Sequence, residues 1–378
     1  MIKKTNLLLT ISLLTLTGCW DRKEINDIAV VMAIGIDKSP KGYIVSAQIP
    51  IPEAAGKIGG NDTGTGGKQS FFIESSMGRS IKEAFENMQN RTARRFLFSH
   101  QRILIIGEEL AKSGVSKVLD FINRNGESRL SAYILVAKGK SLDILKTSAP
   151  LDHMSYEAIR QITKMGMRRT TSEFLNEIYQ VGKDPIIPLV EVIKIQNIAK
   201  PEIKKMAVFK EDKMRFVSNQ KQTLGIYWLT NRIKRKSITF PVQENEEITV
   251  EILDQKKKIN AMIRTDMPEF NVNIEVRGVI RENKSSLDIE NLEVFHQVEA
   301  RLGEEIKSQV TAILEETTSR QIDSFGFGNY LYRKENIKWE TLWKDKWEKI
   351  LPEIKANIHV NVVIQSTGVN TIGLGKKK

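Results

Sequence analysis

The stretch "EITVEILDQKKKINAMIRTDMPEFNVNIEVRGVIRE", residues 247–282, decides the fold of the C-terminal half. Apolar side chains recur at every second position: Ile248, Val250 and Ile252, then Ile259, Ala261 and Ile263, then Phe270, Val272, Ile274 and Val276. A period of two puts one face of each strand in a core and the other in water, the signature of an antiparallel meander. Downstream the period changes. Val294, Val298, Leu302, Ile306, Val310 and Ile313 recur at spacings of four and three, which predicts a long helix with one apolar stripe. Trp339, Trp343 and Trp347 stand four apart, on one face of a second helix. "IHVNVVI" (358–364) alternates again as a closing strand. The expected class is α+β, with an antiparallel sheet covered by long helices over 203–368. The tryptophans are read as filling the layer between helix and sheet.

Upstream, 19–195 reads as a mixed sheet with flanking helices, divisible near 150 into two subdomains. Ile28–Ile36 is a dense apolar strand, "DKSPKG" (37–42) a turn, and Tyr43–Ile49 the returning strand. Further strands are expected at "SFFIES" (70–75), Arg102–Ile106 and "RLSAYILVAKG" (129–139), and "DPIIPLVEV" (184–192) reads as extended. Helices are expected from Ser80 to about Arg94, in a short segment carrying Glu108 and Glu109 near its N-terminus, over Val115–Asn123, and over 151–181 with a break at "GMRRTTS". Lys200-Pro201 reads as a linker, "MAVFKEDKMRFVS" (206–218) as a hairpin, and "LGIYWLTN" (224–231) as a strand or short helix. "AAGKIGGNDTGTGGKQ" (54–69) is a glycine-rich loop. It does not fit a phosphate-binding loop: Gly67-Lys68 would need glycine at 62 and Ser or Thr at 69, where the chain has Asp62 and Gln69.

The chain has 378 residues, 58 Lys and Arg against 46 Asp and Glu, and a single cysteine, Cys19. It opens "MIKKTNLLLTISLLTLTGCW": two lysines, an apolar run of about ten residues, small residues, then the cysteine. The run is too short to span a bilayer, which takes about 20 residues. "Leu-Thr-Gly-Cys" (16–19) resembles the bacterial lipobox. That resemblance implies a signal peptide over 1–18, removed on export, and a mature chain whose Cys19 carries S-diacylglycerol and an N-acyl group. Two or three acyl chains hold a protein at a bilayer far better than one. A net charge of +12, two units of it in the leader, suits an anionic membrane surface or acidic partners. Export argues strongly against nucleic acid, the other usual partner of a basic chain. The basic clusters "RIKRK" (232–236) and "KKK" (256–258) read as turns or solvated faces, and 369–378 as a disordered tail.

Candidate chemistry is sparse. His100, His153, His296 and His359 form no i, i+4 pair, and Glu293 with His296 is an isolated Glu-x-x-His. No Gly-x-Ser-x-Gly elbow occurs. The pairs Glu246-Glu247, Glu304-Glu305 and Glu315-Glu316 read as surface charge. No catalytic residue, metal ligand or cofactor is expected. Two other classes compete. A solute-binding lipoprotein would have two lobes with parallel strands, against which the meander argues. A cell-wall hydrolase would need an acidic cluster or metal triad.

Two blocks carry a family resemblance. "GCWDRKEINDIAVVMAIGIDKSPKGY" (18–43) holds Cys19, Trp20, Asp21, Glu24, Ile25, Asn26, Asp27 and Gly35-Ile36-Asp37 in the order of the Ger(x)C family, the lipoprotein C subunits of spore germinant receptors. "FSHQRILIIGEELAKSGV" (98–115) is similar to that family's second block, with "NRNGESR" (123–129) and "LVAKG" (135–139) following. The resemblance implies an α+β fold in three domains and a place on the outer face of the inner spore membrane. It implies partnership with a membrane-embedded A subunit and a transporter-like B subunit, and a role in nutrient-triggered germination without catalysis. No small-molecule ligand is expected for this subunit, and Cys19 is the sole functional residue it assigns.

Overall fold

The computed structural model describes residues 27–51, 70–147, 149, 154–233, 235–264 and 266–365. Cys19, His153, the glycine-rich loop and the 369–378 tail lie outside the described residues. The fold is α+β, with an eight-stranded and a four-stranded sheet.

The eight-stranded sheet has a parallel centre with antiparallel wings. Strands β2 (Ala33–Ser39), β6 (Ile103–Ile106), β7 (Tyr133–Ala137) and β8 (Ile186–Ile195) pair parallel in that order. β3 (Gly42–Pro50) and β4 (Phe71–Gly78) extend it on one side, β9 (Ile198–Lys210) and β10 (Lys213–Val217) on the other, all antiparallel. The central strands read as unbroken apolar runs because both faces are covered. Ile34, Leu104, Ile134 and Val136 pack against Ile81, Phe85 and Met88 of helix α1 (Ile81–Gln89), and against α2 (Glu108–Ser113) and α3 (Ser116–Arg124). Ile103, Ile105 and Leu135 face α4 (Ser141–Leu145) and α5 (Ser155–Met165). α6 (Thr171–Tyr179) starts from a reciprocal cap between Thr170 and Glu173.

Two expectations change here, and a third, open between strand and helix, is decided. The Ile28–Ile36 run is two strands: β1 (Ile28–Val30) pairs parallel with β5 (Arg95–Leu97), and the chain enters the large sheet only at Ala33. Lys200-Pro201 is not a linker but part of β9, opposite Ile193 and Val192. One sheet therefore runs from β2 through the region near 150 to Val217, and the chain leaves it at Ser218. The segment 224–231 is helical: α7 (Gln220–Leu229) is capped by Asn219 and Gln222, and Gly225–Leu229 are all buried. Burial on every side erases the periodicity that would have marked it as a helix.

In the second sheet β11 (Lys236–Gln243), β12 (Glu246–Arg264) and β13 (Met267–Asn283) form the antiparallel meander. Ile248–Ile252 and Ile259–Ile263 belong to one long strand, with "KKK" in its middle rather than at a turn. A bulge between Ile252 and Asp254 adds one residue, so the core-facing positions switch from even to odd without leaving the core face. The closing strand β14 (Lys355–Ile364) pairs parallel to β13. The chain crosses back over the sheet through α8 (Leu292–Ser319), α9 (Phe327–Lys334) and the segment 336–353, and such a crossover returns a strand in the same direction. Val298, Leu302, Ile306, Val310 and Ile313 of α8 pack on Phe270, Val272, Ile274 and Val276 as their spacing predicts. The tryptophan helix is broken by a wide turn over Trp339–Trp343 and a tight one over Lys344–Lys346. All three indoles are buried in the layer beneath.

Candidate interaction surface

The residues of the two sequence blocks meet at the carboxyl ends of the parallel strands. Asp37 lies near the end of β2, and its Oδ1 and Oδ2 accept from the Ser141 backbone N–H (2.8 Å) and hydroxyl (2.7 Å) at the start of α4. Gly107 follows β6; its N–H donates to the Ile36 carbonyl (2.9 Å), and a Cβ there would stand 2.0 Å from Asp37 Oδ1. At Gly35 a Cβ would stand 2.4 Å from Ser141 Oγ. Glu108 Oε2 accepts from the Gly139 N–H (2.9 Å), which ties the end of β7 to α2. Lys112 and that N–H hold the Glu108 carboxyl below its usual range. The motif glycines thus allow a close approach to a buried carboxylate that fastens the end of β2 to the start of α4. Asp37→Ala strands two buried donors, and a loss of about 2 kcal/mol in unfolding free energy is expected. Urea denaturation of the two chains measures it.

A second buried carboxylate joins the two sheets. Asp323 is enclosed and accepts from the N–H groups of Gly326 (2.8 Å), Phe327 (2.9 Å) and Gly328 (2.7 Å) and from Trp347 Nε1 (3.1 Å). Its backbone exchanges hydrogen bonds with Asp184, which precedes β8: Asp184 N–H donates to the Asp323 carbonyl, and Asp323 N–H to Asp184 Oδ2, both at 2.8 Å. Asp184 Oδ1 also accepts from the Glu211 N–H. Gly182 holds a φ of +64° against Gly328, where a Cβ would meet backbone at 2.5 Å. Burial raises the Asp184 carboxyl and pushes Asp323 up to about 6.

What remains open is the face of the second sheet that no helix covers among the described residues. There the strands align Lys258, Asn273 and His359 in one row, Asn260, Asn271 and Asn357 in the next, and Lys256, Glu275 and Asn361 in a third. Asn357 Nδ2 donates to Asn271 Oδ1 at 3.3 Å. Lys256, Lys258, Asn260, Asn273, Glu275, His359 and Asn361 line an open cleft of about 740 Å³. Lys257, between the two lysines, faces the helix layer, where burial, then the charge of Lys183, lowers its ammonium pKa. The surface is polar, five asparagines with Lys256, Lys258, His359 and Glu275, which suits a hydrogen-bonding protein partner. His296 and Glu293 lie away from it on α8, with His296 Nδ1 2.9 Å from Glu299. His100 is exposed beyond β5.

The comparisons follow this architecture. The family model described as "Spore germination protein N-terminal domain" matches 21–192, and "Spore germination B3/GerAC like, C-terminal" matches 204–368. The chain belongs to the Ger(x)C family. Similar Ger(x)C relatives include YfkR of Bacillus subtilis, 29% identical over 94% of both chains. Spore germination protein KC of the same organism is 27% identical over 98% of this chain and 97% of its own. The crystal structure of the GerBC protein shares the fold, with a TM-score of 0.58 over 89% of this chain and 97% of that one, at 17% identity. Sequence reasoning found the Ger(x)C motif residues but missed Asp184, Asp323 and the open cleft. Their partners lie on other elements, and nothing local marks them.

Proposed function

We propose that this protein is the lipid-anchored C subunit of a nutrient germinant receptor. Cys19 tethers it to the extracytoplasmic face of the membrane, and the folded body works without catalysis, through contacts with membrane-embedded A and B subunits. The observation that carries the reading is the match of both halves to spore germination families, together with Leu-Thr-Gly-Cys at 16–19. Among the described residues no helix is long and apolar enough to cross a membrane, so acyl chains on Cys19 would supply the attachment. The open polar sheet face supports protein contacts. A solute-binding role is disfavoured by Asp37. Ligands of parallel sheets bind beyond the carboxyl ends of the strands, and here the chain's own Asp37–Ser141 bond occupies that crevice.

Cys19→Ala in the full chain is the test. The variant is expected in the soluble fraction of spore extracts, with nutrient-triggered germination slowed by about tenfold or more, since losing the chains removes roughly 0.8 kcal/mol of membrane affinity per methylene. Unchanged retention and response would refute the tether. Purification of the tethered protein with its neighbours tests the A and B contacts separately.

A further inference from the structure

Of the four outer edges of the eight- and four-stranded sheets, three are blunted, as sheets in water require. β10 carries a bulge between Met214 and Phe216, and β11 a bulge beside Pro241. On β4 the carbonyls of Ser75 and Met77 are taken by Arg91 and Asn87. β14 differs. It pairs with β13 over ten residues without a register shift, has no proline, and ends its sheet. Ile364 N–H points away from β13, to Glu299 Oε1 at 2.8 Å, while Gln365 N–H turns back to Gly278. Backbone groups alternate sides along a strand, so those of Ile358, Val360 and Val362 share the outward side. Among the described residues only Ile364 has a side-chain cover there. Beside this edge, Gly303, Glu304 and Lys307 of α8 bound a groove of about 460 Å³. At Gly303 an added Cβ would just reach the Val360 carbonyl and the Val362 side chain, both at 3.9 Å. Ile358 and Val360 are only partly buried.

We propose that the open edge of β14 accepts an extended segment of a partner protein as a fifth strand, with apolar residues at alternate positions and acidic residues between them. The proposal deepens the reading of this chain as a subunit that works through protein contacts. The backbone row calls for a strand. Ile358, Val360 and the space beside Gly303 call for alternate apolar side chains. On the other face the edge presents Lys355, beside Glu269, and His359, with Lys258 two strands away in its row; that row holds no carboxylate and calls for acidic neighbours. A second copy of the chain is disfavoured by the same charges, because antiparallel pairing of β14 with itself would bring two such basic faces together.

The test uses the full chain and a blocked peptide of alternating valine and glutamate, about nine residues long to match a strand. A valine–lysine peptide of equal length is the control. Titration and amide hydrogen exchange report binding. The acidic peptide is expected to slow exchange at Ile358, Val360 and Val362 by about tenfold or more, and to bind at least about tenfold tighter than the basic one. Val360→Pro removes one edge donor, and Gly303→Lys fills the groove from a helix position where lysine is favoured over glycine; each should weaken the peptide by about tenfold. Absent protection, equal affinity for both peptides, or no effect of either variant on a chain with an unchanged circular dichroism spectrum overturns the proposal. So does protection of these amides that grows with protein concentration alone, which assigns the edge to a second copy. Membrane attachment through Cys19 plays no part in this measurement, so its failure leaves the tether untouched.

Discussion

Asp323→Ala is expected to lower the unfolding free energy by about 5 kcal/mol, since truncation leaves several buried donors without an acceptor. Four donors converge on that carboxylate, three from the backbone of 326–328 and one from Trp347. The Ala variant also frees the turn that meets Asp184, so the two sheets should separate at lower urea than either core melts. Asp323→Asn isolates the charge. Burial raises the carboxyl from 3.8 to about 6, against the hydrogen bonds from Gly328 and Phe327 and with help from the nearby Asp184. A raised folded-state pKa means that the native protein holds the proton more tightly than the unfolded chain. The stabilisation is therefore complete below 3.8 and lost as pH rises through about 6. Relative to Asp323→Asn, the native chain should gain about 3 kcal/mol as pH falls from 7 to 3.5, at about 1.4 kcal/mol per pKa unit. Urea curves of both proteins across that range measure the difference, and a flat difference would rule out the buried titration.

Gly225→Val should be nearly as damaging. α7 lies against α8 so closely that a Cβ at Gly225 would stand 2.2 Å from the Gln309 carbonyl oxygen and 2.8 Å from Ile313 Cγ2. Backbone cannot yield as a flexible side chain can, so the helices must part. That movement breaks the hydrogen bond from Trp228 Nε1 to Gln309 Oε1 (2.8 Å), and with it the seat of Gln255 on the Trp228 carbonyl. Overpacking of this kind costs about 3 kcal/mol. Gly225→Ala is the milder probe, because the better helix propensity of alanine offsets about 1 kcal/mol. Thermal melts of both variants give the order: native, Ala, Val. Equal melting temperatures would show that α7 and α8 do not touch at this point.

Periodicity made the C-terminal strands and α8 legible, because each has one face in water and one in the core. It failed where that contrast vanished. In α7 every residue from Gly225 to Leu229 is buried, and the Leu224–Leu229 run could be read either way. It also misled where a bulge shifts the phase: the even and odd halves of β12 look like two strands unless the extra residue at 252–254 is known. The tryptophans were legible as packing but not as a continuous helix. The wide turn at Trp339–Trp343 follows from fitting large rings between α9 and the sheet, with Trp343 Nε1 reaching the Asp266 carbonyl at 2.7 Å.

The amino-acid sequence by itself determined the family, the class of fold, and the candidate lipid site at Cys19. Those rest on local order: a run of hydrophobicity, a spacing, a string of motif residues. Only the tertiary structure decided that β14 returns parallel, that β9 and β10 belong to the first sheet, and that Asp184 meets Asp323 across 139 residues of chain. Strand direction and strand partners depend on where the chain re-enters the sheet after a crossover. A buried carboxylate's partners are chosen by packing in three dimensions, so neither leaves a mark on neighbouring residues.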